Sequence, residues 1–313
     1  MEDPKSDKKK SYLTKIGLVL GLSVAFVFIG NAIHKNWNQL IKLDLSFDIL
    51  YSITAVIAFS AAYYVAFFAW NAILKAIGLL LSVRSAQYNW FVSNLWKYVP
   101  GKVWTVSSRA ILHRKQEHSV EMVVSATLLE ALFSYSISVL VVIGLMVLLN
   151  DMGEYFLPLI GVFLVFCFAL SPKVFTNSVN FGLKIIKRNP IQIELSTGSR
   201  IWISLLYIIF IGVQGIGFWI YIKSLFPELS PNYFSILFAL TFSNLIGMLA
   251  FFVPKGVGVR ESFLVLLLSP VISEPKAIIV SLSLRLWLIG IELAVAGFHY
   301  FVLKPKNADT EII

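Results

Sequence analysis

The chain has 313 residues, 58% of them hydrophobic and 14% charged, with a mean hydropathy of +0.80. That composition excludes an ordinary water-soluble domain. Cys167 is the only cysteine, which excludes disulfide stapling, and the histidines His34, His113, His118 and His299 show no metal-ligand spacing, so neither a metal nor another cofactor is expected. The net charge of +9 would point to nucleic acid in a soluble protein; in a chain this apolar it reflects orientation in a membrane, and no nucleic-acid partner is expected.

Residues 1–15 form a polar, basic tail expected in the cytosol. Residues 16–33 are long enough to span, and the following GNAIHKNWNQ lacks a small-residue cleavage pattern, which favours an uncleaved helix over a signal peptide. A second span covers residues 49–81. Residues 86–113 are apolar but interrupted by Asn94, Lys97, Pro100-Gly101 and Arg109, too polar for a helix facing lipid. Spans are predicted again at 120–149 and 155–170, then a basic loop at 173–200, then a span at 201–226. The run 233–253 stops at Pro254-Lys255-Gly256-Val257-Gly258 and resumes over 259–268, ten residues that make about 15 Å of helix, half the hydrocarbon thickness. A last span at 277–303 precedes the polar tail 304–313. No stretch outside these runs is long enough for a separate aqueous domain, so a fused catalytic domain is not expected.

With the N-terminus in the cytosol, nineteen lysines and arginines fall on the cytosolic side, and only Lys35, Lys42, Lys223 and Lys276 face outward. The imbalance requires each broken segment to enter and leave by the same face, the first from the cytosol and the second from outside. Both segments share a pattern: Ser93-Asn94-Leu95, then Pro100-Gly101, then Arg109; and Ser243-Asn244-Leu245, then Pro254-Lys255-Gly256, then Arg260. Each is followed by a long helix with a charge, Glu130 or Arg285. The flanking spans run in opposite directions, as in the inverted repeats of transporters. The expected fold is therefore all-α, with six spanning helices and two re-entrant hairpins in an inverted repeat. It forms a single transmembrane unit at 16–303, with halves at about 49–149 and 201–303.

The stretches Tyr98-Val99-Pro100-Gly101-Lys102-Val103-Trp104 with Arg109, Glu130, Val253-Pro254-Lys255-Gly256-Val257-Gly258-Val259-Arg260-Glu261 and Arg285 carry a family resemblance. Over residues 16–303 the chain resembles a flippase-like membrane family. That family includes the transmembrane region of lysylphosphatidylglycerol synthases (multiple peptide resistance factors), stand-alone bacterial relatives and archaeal proteins linked to dolichol-dependent glycosylation. The resemblance implies translocation or binding of an anionic lipid headgroup. The family's second motif usually reads Pro-Gly-Gly-x-Gly; here Lys255 holds the middle position and adds a charge. The domain that attaches an amino acid to lipid is not represented, so a non-enzymatic protein is expected.

A charge at the centre of a membrane helix costs about 2.5–3.5 kcal/mol on insertion scales, so Arg260 and Glu261 need partners, water or a ligand. Either they pair internally to pin the hairpin, or Arg260 binds a lipid phosphate while Glu261 orients it. Lys255 and the amides of Gly256 and Gly258 open the following helix, whose N-terminus favours an anion. Arg285, Glu292 and His299 recur every seven residues on one helix face, which is either structural glue or a phosphate site at Arg285. Glu130, Ser134 and Ser138 form a similar strip, with Glu130 expected to pair with Arg109 or Arg285. Lys97, Lys102, Arg109, Arg114 and Lys115 are expected at a solvated cytosolic mouth, interleaved with an interfacial belt of Trp90, Trp96, Tyr98 and Trp104. The candidate phosphate ligands are thus Arg109, Lys255, Arg260 and Arg285, on a motif backbone of Pro100, Gly101, Pro254, Gly256 and Gly258, with Glu130, Glu261 and Glu292 as charge partners.

No nucleotide-binding loop or nucleophile-histidine-acid set is present in the sequence. The expected protein is a multi-pass component of the cytoplasmic (inner) membrane with both termini cytosolic, carrying a phospholipid or a polyprenyl-phosphate-linked glycan. The alternatives are a non-transporting subunit that docks a glycosyltransferase or other lipid-modifying or envelope-assembly enzyme, and an ion- or proton-coupled carrier of a small soluble anion. In a Cys167→Ser background, Lys102→Cys should react with an impermeant thiol reagent only from the cytosolic face, and Glu274→Cys only from outside. The reverse pattern contradicts the orientation.

Overall fold

Asp48 opens the first described helix: its carboxylate accepts the N–H groups of Leu50 (2.9 Å) and Tyr51 (3.1 Å), two of the amides a helix start leaves without partners. The computed structural model describes residues 46–98, 103–114, 119–150, 153–154, 156–185, 190–249 and 258–303. These residues form ten α-helices and no strand: α1 (Ile49–Ala76), α2 (Val83–Asn94), α3 (Val103–Arg114), α4 (Val120–Leu148), α5 (Phe156–Ala169), α6 (Pro172–Ile185), α7 (Thr197–Leu225), α8 (Tyr233–Leu249), α9 (Val259–Ile272) and α10 (Glu274–Leu303). A 3-10 turn, Leu95–Tyr98, continues α2. The fold class is all-α, as expected.

Among the described residues α1, α4, α7 and α10 are long and apolar enough to cross a membrane. The pair α5 and α6, bent by 75°, makes a fifth if it acts as one span. The expected span at 16–33 lies outside the described residues. Three boundaries differ from expectation. The 49–81 run stops as helix at Ala76, because the chain turns at Gly78 with φ +85°. The expected basic loop at 173–200 contains α6. Its lysines obscured an apolar row at Phe175, Val179 and Leu183, of which Phe175 and Leu183 are buried. Pro172 suits the first position of that helix because it has no N–H to satisfy. Asn180 then ties α6 to the next segment, with bonds of 2.8 and 2.9 Å to the Ile191 N–H and carbonyl. Finally, α9 continues through Pro270 to Ile272 rather than ending at 268, and stops at Ser273 with φ +75°.

α1 and α7 lie antiparallel, and the Asp48 N–H donates to the Ser224 carbonyl (2.9 Å) at their shared end. The same end holds the Lys276–Glu228 ion pair (2.7 Å) between the start of α10 and the loop after α7. At the opposite end Arg84 donates to the carbonyls of Val302 (3.0 Å) and Leu303 (3.3 Å), capping the last turn of α10. The core falls into two main apolar groups. One gathers α1, α2, α4 and α7 around Phe67, Trp70 and Phe133; the other gathers α7 to α10 around Phe218, Leu264 and Leu284. Leu157, Phe168, Ile201, Leu286 and Phe301 point outward, as expected of side chains solvated by lipid tails.

Gly217 sets the approach of α1 to α7: a Cβ there would lie 3.3 Å from both the ring and the backbone nitrogen of Phe59, whereas one at Gly212 would meet nothing within 4 Å. Gly217→Val should therefore cost about 1–3 kcal/mol by overpacking, read as a lower thermal midpoint in detergent. Gly212→Val should leave the midpoint nearly unchanged, and equal effects would contradict the helix contact.

Candidate functional site

Arg109 of α3 ties that helix to the end of α2. Its Nε donates to Ser93 Oγ (3.2 Å) and its Nη2 to Asn94 Oδ1 (3.0 Å), both at the end of α2. Nη1 pairs with Glu130 Oε2 of α4. The guanidinium also lies 4.9 Å from the ring centroid of Trp70, and Arg109 is buried. Glu130 uses its other oxygen to accept from Trp90 Nε1 (2.9 Å). Trp90 is thus a buried core residue and not part of an interfacial belt, because its indole N–H has a carboxylate to reach inside the protein. Each of the three guanidinium nitrogens thus donates a hydrogen bond.

The second broken segment has the same parts with opposite polarity. α8 and α9 pack so closely that a Cβ on Gly247 would come within 2.9 Å of the Arg260 Cβ. α9 opens at Gly258, whose φ of +83° suits glycine and whose N–H donates to Glu261 Oε2 (2.6 Å). The other oxygen, Oε1, accepts from Arg285 Nη1 of α10 at 2.7 Å. Arg109 of α3 thus meets an acid on α4, whereas Glu261 of α9 meets an arginine on α10.

That reversal leaves Arg260 over. It is 7% exposed, and among the described residues its closest carboxylate oxygen is Glu261 Oε1 at 3.9 Å and its Nε has no hydrogen-bond partner. A contact of 3.9 Å is too long for a hydrogen bond. Arg260 is also within electrostatic reach of Arg285, Tyr63 and Glu292.

Glu292, one helical repeat beyond Arg285 on α10, accepts from the Tyr63 hydroxyl and pairs with Lys97 Nζ at 2.8 Å. Lys97, expected at a solvated mouth, therefore belongs to the interior cluster. His299 continues the predicted stripe but stands apart, with Nδ1 at 2.7 Å from the Val295 carbonyl oxygen and its ring stacked on Phe91 at 4.0 Å. Of the candidate residues, the fold unites Arg260, Glu261, Arg285 and Glu292 in one cluster and Arg109 with Glu130 in another. Pro100, Gly101, Pro254, Lys255 and Gly256 lie outside the described residues, as does Lys102 at the expected mouth. Sequence reasoning did not find Tyr63. A tyrosine in a span has no local signature, and only the packing of α1 toward α10 reveals it.

Over residues 16–295 the chain matches the model of the family described as the lysylphosphatidylglycerol synthase TM region, and it belongs to that family. No curated protein matches it. The match and the apolar helices together establish a multi-pass membrane protein of a family associated with lipids.

The two arginines differ in a measurable way. Glu130→Ala strips a buried cation of its counter-charge and should cost about 3–5 kcal/mol, seen as a reduced folded fraction and lower thermal midpoint in detergent. Arg260→Met removes a cation with no hydrogen bond among the described residues and should leave the midpoint unchanged or raise it. A large loss in Arg260→Met would make Arg260 a structural residue.

Proposed function

We propose that this protein binds and translocates the anionic headgroup of a lipid across the cytoplasmic membrane, with Arg260 as the group that takes the phosphate. The observation that carries this reading is a buried guanidinium with no hydrogen-bond partner among the described residues. Such a cation is costly in a membrane protein unless something anionic visits it. A lipid phosphate supplies oxygen acceptors in a geometry that suits guanidinium, and its acyl or prenyl tails remain in the bilayer.

The proposed path uses two re-entrant hairpins. The arms α2 and α3 have 12 residues each, about 18 Å of helix. α9 has 14 residues, also short of a bilayer core roughly 30 Å thick. Support for the inverted repeat comes from matched detail. Ser93 and Ser243 are both fully buried and donate to the carbonyl three residues earlier, at 3.1 and 3.0 Å. The hairpin–helix ion pairs then recur with exchanged signs. We assign residues 16–303 to one transmembrane unit of six spans, with both termini in the cytosol. A headgroup enters at the first hairpin and passes Arg109, which holds that hairpin in shape. It settles on Arg260, with Arg285 able to turn from Glu261 toward the phosphate and Lys255 beside the same motif. The protein acts without chemistry of its own.

The close contacts around Arg109 favour a second reading for the first half alone. There the charges lock the fold and present a surface to a glycosyltransferase or lipid-modifying enzyme.

In proteoliposomes, leaflet exchange of a labelled anionic phospholipid should be lost in Arg260→Ala and Arg285→Ala while both variants remain folded in detergent. Wild-type exchange rates in both would remove these residues from the mechanism and leave the docking role.

A further inference from the structure

We infer that α6 is an interfacial helix whose outer face binds the anionic surface of the bilayer, a contact separate from the phosphate site at Arg260. Its sequence, PKVFTNSVNFGLKI, holds two apolar rows. Phe175, Val179 and Leu183 form the first, which packs on the core together with Ile193 and Leu195 of the segment that follows. At about 100° per residue, Val174, Phe181 and Ile185 fall on the opposite side of the helix. There Phe181 is 69% and Ile185 68% exposed, and Val174 is half-buried. A helix that only covered the core would carry polar residues on that side.

Position and charge select the occupant. α5 has no buried residue, and its Leu157, Leu164, Val165 and Phe168 are exposed, so in a membrane protein that helix is bathed in lipid. α6 follows directly and is bent from it by 75°. With α5 along the bilayer normal, α6 lies near the membrane plane. The exposed Lys173 and Lys184 border the outer apolar row, and the helix has no acidic residue. Such a row sinks into the boundary between headgroups and acyl chains while its ammonium groups meet anionic lipid. Residues 190–196 then lead from α6 into α7, at the end of the bundle that also carries Lys75 and Arg84, both exposed. A lipid-bathed neighbour and a basic border favour an anionic leaflet over a protein partner.

The test places spin labels singly at Phe181→Cys, Ile185→Cys and Lys184→Cys in the full chain with Cys167→Ser, reconstituted alone into phosphatidylcholine vesicles with or without phosphatidylglycerol. Collisions with oxygen, which concentrates in lipid, are compared with collisions with a water-soluble nickel chelate. The labels at 181 and 185 should favour oxygen and the label at 184 the chelate. The oxygen preference at 181 and 185 should grow when phosphatidylglycerol is added, and that growth should be lost when Lys173→Gln and Lys184→Gln are introduced together. Preference for the chelate at 181 and 185 overturns the inference and leaves the row to a protein partner. Immersion that ignores phosphatidylglycerol, or that the two lysine substitutions leave unchanged, overturns the anionic surface as the occupant. None of these variants touches Arg260, so the reading of that residue stands or falls separately.

Discussion

Glu261 is the only carboxylate within 4 Å of Arg260 among the described residues, and it is already bonded elsewhere. One oxygen holds the start of α9 through Gly258 and the other holds Arg285 on α10. This arrangement fastens α9 to α10 and leaves Arg260 no close counter-ion among the described residues. In water an unpaired guanidinium is unremarkable. Buried among apolar helices it carries a desolvation cost that a bound anion offsets. The proposed binding site follows from one acid committed to two other donors.

The first half shows the same elements used for structure. Arg109 has an acid, an amide, a serine and an aromatic face around it, so it has little left to offer a ligand. The two ion pairs differ in which helix carries the acid. Where the long helix supplies the acid, as Glu130 does, Arg109 is paired. Where it supplies an arginine, as at position 285, Glu261 is drawn toward α10 and the buried Arg260 keeps only a 3.9 Å contact with it. The Lys97–Glu292 pair joins the turn after α2 to α10.

Much of this was legible in the sequence, for identifiable reasons. Long apolar runs announce spanning helices because lipid offers the backbone no hydrogen bonds, and α4 and α7 begin and end within a few residues of expectation. The candidate arginines and acids stood out because charge is rare in such runs. What sequence could not assign was partnership. The spacing allowed Glu130 to pair with Arg109 or Arg285, and adjacency suggested Glu261 for Arg260; side-chain direction decided otherwise in the second case. Adjacent residues on a helix point about 100° apart, so Glu261 reaches α10 while Arg260 lies against Gly247 of α8. α6 was hidden because its lysines dominate a short stretch whose apolar row is only three residues long. Lys97 was misplaced at the surface because its partner lies nearly two hundred residues away.

The central proposal is that Arg260, which has no hydrogen-bond partner among the described residues, takes a lipid phosphate. The most direct measurement is an electron cryomicroscopy map of the protein in nanodiscs containing an anionic phospholipid, at a resolution that shows side chains and lipid headgroups. The account predicts phosphate density within hydrogen-bond distance of the Arg260 guanidinium, with tails leaving toward the bilayer and the Gly258 N–H still capped by Glu261. A map in which Arg260 instead bonds Glu261 or a protein carbonyl, with no density beside it, contradicts the account.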